Sequence, residues 1–186
     1  EKKREQGHYN ENKFRQMYDI LATPNMFRTA SGAPGPAYYQ QKADYKMDIE
    51  IDDKNSLYWR KYAEINLKLN FFEEAVEAFQ NCILLQDFDI TIWVGLSDVL
   101  CYLGDFEDAL SNLLKAKKYF RDFSEIEYRL GSLYFKFNNN IKGKKHLERG
   151  LAIDYDYYHV IKDLFPEIYN KIEVMDIIND FKNTSL

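Results

Sequence analysis

The sequence predicts an all-α chain of repeated helical hairpins, and three observations carry that prediction. Tryptophan recurs after 34 residues, from Trp59 to Trp93, and neighbouring positions recur with it. Counting each Trp as position four of a repeat, the eighth positions are Ala63, Ser97 and Gly131 and the twentieth are Ala75, Ala109 and Gly143. Small residues thus return where two helices must touch. Bulky ones keep the same step, with Phe79, Leu113 and Leu147 at the twenty-fourth position and Phe72 and Phe106 at the seventeenth. Finally, Asn70, Gly104 and Asn138 recur where the turn between the two helices of a hairpin falls. With 46% hydrophobic residues, 15 tyrosines and 13 phenylalanines, the chain has ample material for a core.

Taken in order, the first 55 residues have another character. Phe14, Met17, Tyr18 and Leu21 lie at the spacing of one helix face, which predicts a short helix over Asn10 to Leu21. The stretch Ser31-Gly32-Ala33-Pro34-Gly35-Pro36 predicts an exposed loop. Tyr45, Met47, Ile49 and Ile51 then alternate with Lys46, Asp48 and Glu50, the pattern of a strand with one buried face, whose ladder partner would have to come from outside the repeats. Extending the repeat frame backward puts Asn25, Thr29 and Gln41 at positions four, eight and twenty and places two prolines inside the first helix and its turn. The frame therefore predicts a boundary at Asp52 to Ser56, with a loop-rich segment over residues 1–55 and a solenoid over 56–186. Three helix pairs are expected from Ser56 to Tyr155. Beyond them Ile161, Leu164 and Phe165 begin a helix that Pro166 interrupts, and Ile172, Val174, Met175, Ile177 and Ile178 supply the apolar face of a C-terminal cap.

The repeated positions over Ser56 to Tyr155 resemble those of the tetratricopeptide (TPR) family. The resemblance implies a right-handed solenoid with the first helix of each pair (helix A) on a concave wall. It also implies a non-enzymatic adaptor that binds a protein or peptide there. The family's contact positions 5, 9, 12 and 13 fall here on Arg60, Glu64, Leu67 and Lys68, on Val94, Asp98, Cys101 and Tyr102, and on Tyr128, Ser132, Phe135 and Lys136. In the chaperone-binding branch a lysine and an asparagine at positions 5 and 9 clamp a C-terminal carboxylate. Arg60 and Glu64 stand there in the first copy, and Glu64 and Asp98 would repel an acidic tail. An extended or helical segment with aromatic or basic anchors is the better expectation.

A second resemblance covers the N-terminal stretch. Asn12 to Tyr18, Thr23-Pro24-Asn25, Arg28 to Gly35 and Tyr39 to Tyr45 resemble the extreme N-terminus of bacterial M1-family zinc aminopeptidases. That family's chemistry needs HExxH, and the three histidines here, His8, His146 and His159, do not form it. No catalytic residue carries over, which leaves an inactive fragment or accessory part of such a peptidase as the alternative function. Three origins fit the junction: an engineered fusion, a join of pieces from two proteins, or a natural chain whose N-terminus merely looks M1-like.

Charge and cysteine usage narrow the classes further. The net charge is −5, and residues 56–186 hold sixteen Lys or Arg against twenty-one Asp or Glu, so no basic stripe suggests nucleic acid. Cys82 and Cys101 lack the spacing of a disulfide framework or a zinc site, and neither a metal nor another cofactor is expected. No apolar run is long enough to cross a membrane. The repeats favour the cytoplasm, whereas the M1-like stretch would suit an exported or periplasmic protein.

Overall fold

The computed structural model describes residues 36–85 and 88–184, and among the described residues the regular structure is entirely helical. In chain order the helices are α1 (Pro36–Ile51), α2 (Ser56–Lys68), α3 (Phe72–Leu84), α4 (Ile90–Leu103), α5 (Phe106–Tyr119), α6 (Ser124–Lys136) and α7 (Asn140–Ile153). A short 3-10 turn (Asp156–Tyr158) leads into α8 (His159–Leu164), α9 (Pro166–Tyr169) and α10 (Ile172–Thr184). Of the expected three helix pairs, α2/α3 and α6/α7 pack as such, and α4 and α5 fill the helix A and helix B places of the second copy. The chain divides into two compact units, residues 1–104 and 105–186.

Each turn within a pair is made as its residue type dictates. Asn70, Gly104 and Asn138 have φ of 61°, 90° and 57°, the left-handed region that Gly and Asn enter at least cost. After α2 the Phe71 amide donates back to the Asn66 carbonyl at 2.9 Å, and after α6 the Asn139 amide donates to the Tyr134 carbonyl at 2.8 Å. These bonds occupy carbonyls that a helix end would otherwise leave unpaired. At the other end Asn55 caps α2 and Asp89 caps α4, each side chain accepting from a backbone amide two residues on.

In the N-terminal unit α1 packs along α2, α2 against α3, and α3 against α4. Ala63, Ala75, Ala78 and Cys82 are fully buried, and Phe79 nearly so. The helix at Pro36–Ile51 replaces the strand expected over Tyr45 to Ile51. The apparent alternation has no buried face behind it, since Met47 and Ile51 are 60% and 81% exposed and only Ile49 is buried. Nor does this stretch pair outside the repeats: Lys42 stands 3.5 Å from the Phe71 ring centre and 3.4 Å from the Glu74 carboxylate, tying α1 to the first pair. Pro36 is tolerated because it opens the helix, where its missing amide would be unpaired anyway. In the 34-residue frame α1 stands where a helix B is due. The helix expected at Asn10 to Leu21 and most of the loop at Ser31 to Pro36 lie outside the described residues.

In the C-terminal unit α5 packs on α6, α6 on α7, and α10 on α7. The small residues at positions eight and twenty are explained by closeness of approach. A Cβ on Gly131 would lie 3.2 Å from the Leu147 amide nitrogen, and one on Gly143 would lie 2.8 Å from the Phe135 ring. Burying a side chain such as Leu147 or Phe135 contributes about 1.5–3 kcal/mol. The cap keeps the same frame: α8 and α9, broken at Pro166, take the helix A place. In the helix B place, α10 buries Val174, Ile177 and Ile178.

Candidate interaction surface

Helix A positions 5, 8 and 12 are three and four residues apart, so they share one face, and position 8 turns that face toward helix B. The structure follows this geometry. Phe135 at position 12 lies over Gly143, and Tyr128 at position 5 lies over Gly150, where an added Cβ would be 3.0 Å from its ring. The Tyr128 hydroxyl donates to the Asp154 carbonyl at 2.7 Å, and burial, with Asp154 next in order, pushes its pKa above the usual phenol range. Leu67 and Val94 are fully buried as well. Leu67, Val94, Tyr128 and Phe135 are therefore core residues, which corrects the expectation that they line a partner-binding wall. Arg60 is half-buried and ion-paired at 2.7 Å to Asp89, the cap of α4. Cys101 is half-buried.

Position 9 is mixed. Asp98 and Ser132 are buried, the Ser132 hydroxyl donating to the Tyr128 carbonyl at 2.9 Å, so they too depart from the expected exposed wall. Glu64 is half-buried and paired with Lys61 at 2.8 Å.

Position 13 is the most regular. Lys68 stands over the Tyr38 ring at 5.9 Å, Tyr102 against Phe72 at 4.4 Å, and Lys136 over the Phe106 ring at 4.1 Å. In the repeat frame each partner ring is position 17 of the preceding copy. Tyr102 is 55% exposed, and Lys136 also pairs with Glu167 at 2.9 Å. Of the twelve predicted residues, Arg60, Glu64, Lys68, Cys101 and Tyr102 in the N-terminal unit and Lys136 in the C-terminal unit retain accessible surface.

One charged group escaped the sequence reading. Glu127 occupies position four of the third copy, where the first two have Trp, and its side chain is 1% exposed. Lys117 Nζ lies 2.7 Å from Oε1, His146 Nδ1 2.6 Å from Oε2, and Arg149 Nε 3.4 Å from Oε1. Tyr134 stacks on His146 at 5.3 Å. Burial raises the Glu127 pKa, but the hydrogen bonds from His146 and Lys117 and the charge of Lys117 outweigh it, so the carboxyl titrates below its ordinary value. The signal was present in the sequence as the break in the Trp period, with cationic runs Lys115-Ala116-Lys117-Lys118 and Lys142-Gly143-Lys144-Lys145-His146 on either side. Nearby, buried Arg129 donates to the Glu125 carbonyl at 2.9 Å. Desolvation lifts the Glu125 carboxyl above its usual range against the pull of its backbone hydrogen bond and of Arg129.

Among the described residues no three His, Cys, Asp or Glu side chains come together as metal ligands would, and no helix is long and apolar enough to cross a membrane. No family model matches the chain, and no curated protein matches it in sequence. The M1 resemblance is not shown by these comparisons; its residues through Gly35 lie outside the described part, and Tyr39 to Tyr45 lie on α1. Solved structures do match. MamA is similar with a TM-score of 0.63 at 14% identity, over 77% of this chain and 86% of that one. TTC0263, a thermophilic TPR protein in Thermus thermophilus, is similar with a TM-score of 0.56 at 18% identity, over 80% of this chain and 81% of that one. The helix pairs of this chain therefore have the fold of a TPR protein.

Proposed function

We propose that the chain is a non-enzymatic protein-interaction module whose helix A face, within residues 56–186, holds an extended or helical segment of a partner. The carrying observation is the repeated position 13 contact, which leaves Tyr102 mostly exposed on an aromatic base and sets the ammonium groups of Lys68 and Lys136 at the equivalent place in the other two copies. A planar side chain already ordered against a neighbour loses little entropy on binding, which suits an anchor. Glu64 and Arg60 add polar partners at the first copy. Selection of peptides from a displayed library, followed by fluorescence anisotropy on the selected sequences, tests the reading. Tyr102→Ala is expected to weaken binding by roughly tenfold or more, the scale of an interface hot spot. Selected peptides indifferent to Tyr102→Ala, Lys68→Ala and Lys136→Ala would place binding elsewhere and sink the proposal.

A further inference from the structure

The acidic chain contains a basic region. Residues 115–149 hold ten Lys or Arg against four Asp or Glu, while residues 36–104 hold six against twelve. The structure draws the basic stretch together. Glu127 gathers Lys117 from α5 and His146 and Arg149 from α7 around one buried carboxylate, so the second half of α5 lies beside α7. Around that clamp Lys115, Lys118, Arg121 and Lys145 are exposed and carry no ion pair among the described residues. Arg149 also stands 3.8 Å, by Nη2, from the carboxylate of Asp122, which is 84% exposed, so its guanidinium reaches from the clamp to the surface.

We infer that this helix B face of α5 and α7 docks an acidic polypeptide segment, with Lys118, Lys145 and Arg149 as the cations that meet its carboxylates. Charge complementarity selects the class. Screening confines each cation's reach to about 8 Å at physiological salt, so a short segment lying on the patch feels mainly the local positive field. A long nucleic acid or a charged lipid surface must instead come close to other parts of a chain whose net charge is −5. The buried clamp adds preorganisation: Arg149 and Lys117 are already turned to one side by Glu127 and lose less freedom on binding. This surface lies on the helix B side and is independent of the helix A face proposed above.

The full chain can be titrated into a short fluorescein-labelled peptide alternating glutamate and glycine, with its lysine-for-glutamate counterpart as control. Binding of the acidic peptide alone is expected, weakening by about tenfold or more from about 0.1 M to about 1 M salt. The double variant Lys118→Glu, Lys145→Glu should lose at least about tenfold, and Lys54→Glu, which removes an exposed charge in the other unit, should lose little. NMR shift changes in the unmodified protein should map to α5 and α7, a readout that does not depend on how the variant folds. Equal loss with Lys54→Glu, shifts on the helix A face, or tighter binding of a short single-stranded RNA or of phosphatidylserine vesicles would each overturn the inference. So would salt-dependent self-association with no peptide binding, which would make a second copy the occupant.

Discussion

The residue scale is where the hairpin declares its tolerances. Gly143 is helical and buried against Phe135, and an Ala there gains up to about 1 kcal/mol of helix propensity while pushing a methyl to 2.8 Å from a confined ring. Steric cost should win. Gly143→Ala is expected to destabilise by about 1 kcal/mol, and the Phe135→Leu background should erase most of that loss in a double-mutant thermal cycle. Additive effects would show that the ring is not the obstacle. Glu127 gives a second prediction. Its folded pKa lies below the unfolded value of about 4.5, so its stabilisation is present above that pH and is lost as pH falls through the folded pKa. Glu127→Gln should cost roughly 1–3 kcal/mol at neutral pH, and its melting temperature should fall less than that of the wild type on acidification. Parallel pH profiles would count against the clamp. Small residues such as Ala75 and Gly143 were legible in the sequence because close backbone contact permits few alternatives. Leu67, Val94, Tyr128 and Phe135 were misplaced because the family's contact positions were carried over by count, and a count does not say which helix face turns inward. Position 8, already recognised as an inner contact, shares its face with positions 5 and 12 and was the missing guide.

At the scale of the element, α1 is the instructive case. Its apolar residues were read at a period of two, and the prolines before it were taken to break the frame. The helix wins through local formers such as Gln40, Gln41, Lys42 and Ala43, the Gln40 to Asp44 hydrogen bond one turn apart, and packing on α2. Amide exchange tests it: the amides of Tyr45 to Ile51 should be protected to a degree comparable with those of α2, and truncation before Asp52 should lower the melting temperature. Exchange at the rate of an unstructured peptide would show that α1 does not hold. The C-terminal cap, by contrast, was readable because Pro166 marks its break without ambiguity and the apolar set from Ile172 onward keeps a helical period.

For the whole molecule, the 34-residue frame runs from α1 to α10, which makes the fold the most legible part of the chain. The surface is the least legible, because a fold shared at 14–18% identity leaves partner-facing residues free to change. If the chain serves as a binding module, the purified protein should show no aminopeptidase turnover, and chelator-sensitive hydrolysis of a peptide amide would refute that. Glu127 also bears on whether the copies are interchangeable. The repeat frame makes the copies look interchangeable, yet Lys117 comes from the second copy's helix B while Glu127, His146 and Arg149 come from the third. Replacing the third copy with a duplicate of the first would set Trp59's indole where the carboxylate sits and strand Lys117 without its counter-ion. Copying or shuffling whole units at that joint is therefore expected to leave a cation unpaired and to lower stability, so the order of the repeats matters there.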